Sequence, residues 1–111
     1  MQMKLMLVDD HPLLLEGLQY LLEINGIDVV GSARSGSEAL SKARILKPDI
    51  ILMDIKMPEG SGLDALKLIK AEMPEIRIVM LTSSEEDGDL FDAIKFGASG
   101  YLIKNTNAKD L

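Results

Sequence analysis

At 111 residues, 47% apolar and 27% charged, the chain has the size of one domain that can bury a core. It has no Trp, no Cys, two Phe and two Tyr, so the core is aliphatic, and disulfides, a thiolate nucleophile and Cys-ligated metals are excluded. A net charge of −6, from 18 acidic and 12 basic residues, excludes nucleic-acid binding by general phosphate attraction, and no apolar stretch approaches the ~20 residues that span a bilayer.

Residues 3–8 form a short apolar run, as expected of a strand buried on both faces. It leads into two aspartates rather than a small-residue cleavage site, so it is not a signal peptide. A helical stretch follows, with Leu14, Leu18, Leu21 and Leu22 at spacings of three and four, ending near Asn25-Gly26. Residues 27–33 read as a second strand. Ser35 with Glu38 is a capping box for a helix whose Ala39, Leu40, Ala43 and Leu46 share one face, and Lys47-Pro48 ends it.

Ile50-Ile51-Leu52-Met53 is the most clearly buried strand. Pro58 and Gly60 mark a loop, and Ser61-Gly62 opens a helix carrying Leu63, Leu66 and Ile69-Lys70 towards Pro74. Residues 76–81 form a fourth strand. Ser84 with Asp87 opens a fourth helix, with Leu90, Ala93 and Ile94 on its core face and Gly97 at its end. Residues 99–103 form a fifth strand, and Asn107 with Asp110 looks like the first turn of a fifth helix. Five strand–helix alternations predict an α/β domain: a flavodoxin-like, doubly wound, five-stranded parallel sheet of order 2-1-3-4-5. Its fifth helix is expected to be largely missing. The expected domain is residues 1–111, truncated at that C-terminal helix and without an output domain.

In such sheets ligands bind beyond the carboxyl ends of the strands, where the strand order reverses. Strand one ends in Asp9-Asp10, strand three in Asp54, strand four in Thr82 and strand five in Lys104. Singly, each has an ordinary explanation: a cap, a solvated carboxylate, a solvated lysine. Together, three carboxylates within ~5 Å would repel by ~3 kcal/mol per pair at an effective dielectric of 20. They call for a counter-charge, from Lys104 and from a hard cation such as Mg²⁺. No Cys-His or Ser-His pair offers itself, and the sole histidine, His11, reads as local structure in the loop into the first helix. No Gly-x-Gly-x-x-Gly run follows strand one. Gly31 and Gly36 share the glycine spacing of a phosphate-binding loop, but Ser37 stands where its lysine should be. Phosphoryl chemistry with a carboxylate nucleophile remains.

Four segments, in order and at strand ends, carry a resemblance. They are Val8-Asp9-Asp10-His11, Met53-Asp54-Ile55-Lys56-Met57-Pro58, Leu81-Thr82, and Gly97-Ala98-Ser99-Gly100-Tyr101-Leu102-Ile103-Lys104. Over essentially its whole length the chain resembles the response-regulator receivers of two-component signalling, and its first and last segments look most like the NarL/FixJ subfamily. The resemblance implies that Asp54 takes a phosphoryl group from a sensor histidine kinase. It implies Mg²⁺ or Mn²⁺ held by Asp10, Asp54 and the backbone carbonyl of Lys56, with Asp9 acting through water. Lys104 would neutralise a phosphoryl oxygen. Thr82 would donate to another as it moves inward, and Tyr101 would rotate into the vacated space, switching the surface of the fourth helix and fifth strand.

The resemblance further implies a cytoplasmic signalling domain rather than an enzyme, one that catalyses only its own phosphorylation and dephosphorylation. Its expected role is to control a DNA-binding output domain, with homodimerisation on phosphorylation and no contact of its own with nucleic acid or membrane. Three departures stand out. Asn105 replaces the proline that often follows the strand-five lysine in a cis bond, Lys56 sits near the path of attacking water, and the chain ends before the last helix. Phe91 and Phe96 lie at the edge of the fourth helix's core face or outside it, and present either a partner surface or packing. A haloacid-dehalogenase-like phosphatase would need a second aspartate where Lys56 stands. A pseudo-receiver that is never phosphorylated would be expected to lack one of the acidic, nucleophile or lysine positions, all of which are kept here. A stand-alone regulator, without any output domain, is the third rival reading.

Overall fold

The computed structural model describes residues 3–54, 56–57, 60–82 and 97–103, with backbone alone at 56–57, 60–61, 82 and 101–103. The aliphatic runs become strands, and up to residue 82 the chain alternates as the sequence predicts. In chain order the elements are β1 (Lys4–Val8), α1 (Pro12–Ile24), β2 (Asp28–Ala33), α2 (Gly36–Leu46), β3 (Ile50–Asp54), β4 (Lys56–Met57), β5 (Gly60–Ser61), α3 (Gly62–Glu72), β6 (Arg77–Thr82) and β7 (Gly100–Ile103). Five strands form one sheet in the order β2-β1-β3-β6-β7, and every pairing in it is parallel. This is the flavodoxin-like 2-1-3-4-5 order, with β6 and β7 as the fourth and fifth strands of the sheet.

Side-chain alternation sends each central strand's residues to two faces. Met6, Val8, Ile51, Met53, Ile78 and Met80 pack with Ala39 and Ala43 of α2 and with Ala65, Leu66 and Ile69 of α3. Leu5 and Leu7 point the other way, onto Leu15, Leu18 and Leu22 of α1. On α2, Ser35 accepts a hydrogen bond from the Glu38 amide at 3.2 Å, the cap expected from the sequence. Lys47, at φ 47°, closes that helix in the left-handed region before Pro48. β2 approaches α2 closely at Gly31, where a Cβ would lie 2.6 Å from Leu46 Cδ1. Across α2 and α3 the Arg44 guanidinium makes a two-pronged ion pair with Glu72, at 2.7 and 2.8 Å.

Of the leucines at helical spacing in α1, Leu14, Leu18 and Leu22 are half-buried and Leu21 is exposed, and Leu15 is the buried leucine of the helix. Six leucines in that helix leave several overlapping stripes at helical spacing, and only contact with Leu5 and Leu7 of the sheet selects one. The segment around Pro58 and Gly60 is not simply a loop. Lys56 pairs with Ser61, and Met57 with Gly60, in a small antiparallel ribbon. Two-residue strands are too short to show a period. The fourth and fifth helices, Phe91 and Phe96, and the Lys104–Asn105 bond lie outside the described residues. No described helix is long and apolar enough to cross a membrane.

Candidate phosphoacceptor and cation site

The carboxyl ends of β1 and β3 lie side by side because the strands pair in register, Val8 against Met53. The next residue on each strand is an aspartate. Asp9 is 1% exposed and Asp54 3%, so both carboxylates sit at the mouth of the sheet with almost no access to water. The Asp9 amide donates to the Ala33 carbonyl at 3.0 Å, which ties this point of the chain to the end of β2. Asp10 follows, half-buried.

The chain then turns into α1 through a local arrangement around Asp9. Asp9 Oδ1 accepts the His11 backbone N–H at 3.0 Å and lies 2.6 Å from His11 Nδ1. A side-chain acceptor two residues before the bonded amide is a turn typical of Asp. His11 is the N-cap of α1 but makes no side-chain cap; its ring is held over the aspartates instead. Pro12 at the first helical position fixes the chain direction there. His11 Nδ1 is also 3.2 Å from Asp10 Oδ1.

Asp9, Asp10, His11 and Asp54 each offer one ligand atom, and these atoms lie within 4.8 Å of one another. At such separations each pair of carboxylates repels by about 3 kcal/mol at an effective dielectric of 20. Asp10 Oδ1 is buried without a hydrogen-bond partner. An oxygen-rich cluster with an orphaned acceptor fits a hard divalent cation, which binds carboxylates and keeps several waters.

The remaining residues named from the sequence are placed by backbone only or not at all. Asp54 pairs with Leu81, so Thr82 closes β6 one residue beyond the level of Asp54. Thr82 itself pairs with Ile103, and Tyr101 with Met80. Lys56 opens β4, two residues after Asp54. Lys104 follows the last residue of β7 and lies outside the described residues. His11 is local structure, as the sequence suggests, at the N-cap of α1 in a turn on Asp9, and that turn also sets it among the acidic groups. The signal was its position two residues after Asp9, the spacing that lets one carboxylate hold both the amide and the ring.

The model of the response regulator receiver domain family matches residues 5–111. Over 112 aligned positions covering all of this chain, it is 42% identical to the response regulator protein VraR of Staphylococcus saprophyticus, of which it covers 54%. The chain thus spans about half the length of the curated relatives it matches. Among solved structures, the receiver domain of the putative response regulator NarL from Mycobacterium tuberculosis superposes with a TM-score of 0.89 at 28% identity, over 96% of this chain and 86% of that one. RcsB of Salmonella enterica serovar Typhimurium, solved on promoter rprA with the phosphomimetic BeF₃⁻, gives 0.88 at 26% identity, over 99% of this chain and 64% of that one.

Proposed function

This chain belongs to the response regulator receiver family of two-component systems, and on that premise we propose that it accepts a phosphoryl group on Asp54 with the help of a divalent cation, Mg²⁺ or Mn²⁺. The observation that carries the proposal is the convergence of Asp9, Asp10 and Asp54 at the carboxyl edge of the sheet. An Asp54 carboxylate oxygen forms the new P–O bond as the P–N bond of the kinase's phosphohistidine breaks, and the ring, already protonated on its other nitrogen, leaves as neutral imidazole. Its burial limits the rotamers of Asp54, which holds the nucleophile ready on a rigid strand.

Asp10 and Asp54 would hold the cation directly, together with the Lys56 carbonyl, and Asp9 would hold it through water. When bound, the cation supplies the positive charge that offsets both the clustered carboxylates and the transferred oxygens. Lys104 and Thr82 would contact the phosphoryl oxygens, the first as a charge and the second as a hydroxyl donor. Tyr101, one strand away, would follow Thr82 and carry the change to the surface beyond β7. A sensor histidine kinase is the proposed phosphoryl source, and dimerisation the proposed consequence. The solved promoter complex of RcsB supports the proposal that residues 1–111 act as a receiver unit controlling a DNA-binding domain.

The experiment is intact-mass analysis after incubation with acetyl phosphate, with Mg²⁺ or with EDTA, on the wild type and Asp54→Asn. A single labile phosphoryl gain that needs the cation and disappears in the variant is expected. A gain that persists in Asp54→Asn would move the acceptor elsewhere. Lys56 bears on the reverse reaction: Lys56→Ala is expected to change the lifetime of phospho-Asp54, followed by the decay of that mass. An unchanged lifetime would leave Lys56 as a solvated side chain.

A further inference from the structure

The only histidine in the chain, in a sequence without cysteine, stands where three carboxylates meet. His11 Nδ1 is 2.6 Å from Asp9 Oδ1 and 3.2 Å from Asp10 Oδ1. Its ring is 62% exposed, so it can turn by small amounts without disturbing the core. The 2.6 Å contact is a hydrogen bond whose donor depends on the ring tautomer: with the proton on Nδ1, the ring donates to Asp9. The other neutral tautomer places that proton on Nε2 and leaves a lone pair on Nδ1 directed at the same carboxylates.

We propose that His11 is a metal ligand: through Nδ1 it joins Asp9, Asp10 and Asp54 to hold a borderline transition ion, Zn²⁺ or Co²⁺, in competition with the hard cation. The inference rests on the reading that these carboxylates form a cation site, and it adds a second class of cation to it. Tetrahedral zinc has N and O donors at about 2.0–2.2 Å, which sets neighbouring donors about 3.3 Å apart. His11 Nδ1 and Asp10 Oδ1 already stand at 3.2 Å. The Asp9 contact has to open by only about 0.7 Å to reach that spacing, a movement within the freedom of an exposed ring.

Donor chemistry separates the two classes of ion. Mg²⁺ demands oxygen in near-octahedral geometry and keeps several waters, and it gains nothing from an imidazole. Imidazole suits zinc and its neighbours in the first transition row. A shell made of His11 and three carboxylates is closed, like that of a structural zinc site. It ties up the Asp54 carboxylate and leaves no position for a phosphoryl oxygen. His11 would thereby make phosphoryl acceptance sensitive to transition-metal ions.

The test uses the untagged chain. Zn²⁺ affinity is measured by competition with a chromophoric chelator and Mg²⁺ affinity by calorimetry, on wild type and His11→Asn. The ¹⁵N resonances of the single imidazole are followed as Zn²⁺ is added. The expected results are tighter binding of Zn²⁺ than of Mg²⁺, a move of the Nδ1 resonance to that of a metal-bound nitrogen, and a fall of about tenfold or more in the Zn²⁺-to-Mg²⁺ affinity ratio in His11→Asn. An unmoved Nδ1 with Zn²⁺ bound, an unchanged ratio, or Zn²⁺ bound no more tightly than Mg²⁺ overturns the role of His11 and leaves the Mg²⁺ reading standing. Failure of the wild type to bind either ion overturns both.

Discussion

Two neighbouring regions of the same strands are built for opposite purposes. Along β1 and β3, Met6, Val8, Ile51 and Met53 are completely buried in the layer against α2 and α3. One residue further along, Asp9 and Asp54 are almost as inaccessible, yet each carries a carboxylate, with Asp10 beside them. The apolar layer gains stability from nearly every side chain it encloses. The rim gives stability up, because groups that repel one another are held out of water by that layer. The difference teaches that the site does not need to be stable by itself: a rigid sheet holds it, and the proposed cation would complete it.

The largest expected effect breaks the apolar side of this comparison. Leu66 of α3 is fully buried in that layer, so Leu66→Ala should cost about 2–5 kcal/mol. Urea unfolding at neutral pH measures it. A loss well below that range would mean that α3 collapses into the space and that the layer is less tightly packed than its burial suggests.

The rim should respond in the opposite sense. Ligand that binds only the folded state adds about 2.7 kcal/mol at a hundred times its dissociation constant, so saturating Mg²⁺ should raise the urea midpoint of the wild type clearly. In the absence of cation Asp54→Asn should be more stable than wild type by about 1–2 kcal/mol, a fraction of the repulsion of about 3 kcal/mol per pair that it relieves. It should also lose most of the response to Mg²⁺. If Asp54→Asn were instead less stable without cation, the repulsion would already be offset inside the protein, and the contrast between layer and rim would weaken.

Much of this contrast was legible in the residues. The strand–helix alternation, the strand order and the α2 face of Ala39, Leu40, Ala43 and Leu46 follow from period and spacing, which report what each segment must bury. The aspartates at strand ends could be brought together on paper because parallel strands put their carboxyl ends on one edge. What escaped depends on contacts that no single segment encodes. The leucine-rich α1 has no unique stripe, so spacing alone does not select Leu15 over Leu21 as the buried one. The ribbon of Lys56–Met57 with Gly60–Ser61 is two residues deep and leaves no periodic trace. His11 joins the site through a turn centred on Asp9, a local geometry that composition does not announce.

The smallest expected effect lies outside the site, where charge is paired rather than crowded. The hydrogen bond from Arg44, more than the charge itself, holds the Glu72 carboxyl below its ordinary value, and Glu72 in turn raises that of the guanidinium. A carboxyl with a lowered folded value stabilises the protein above the ordinary glutamate range and loses that contribution as pH falls through the lowered value. Arg44 stays charged throughout. Glu72→Gln should therefore lower the urea midpoint slightly at neutral pH, and the gap from wild type should close as pH falls through the lowered carboxyl value. The effect is small because both side chains are exposed and water screens the pair. A gap that persists in acid would assign the joint between α2 and α3 to packing of the two side chains rather than to their charges. It would also show that the α2–α3 side of the fold, unlike its rim, is insensitive to charge.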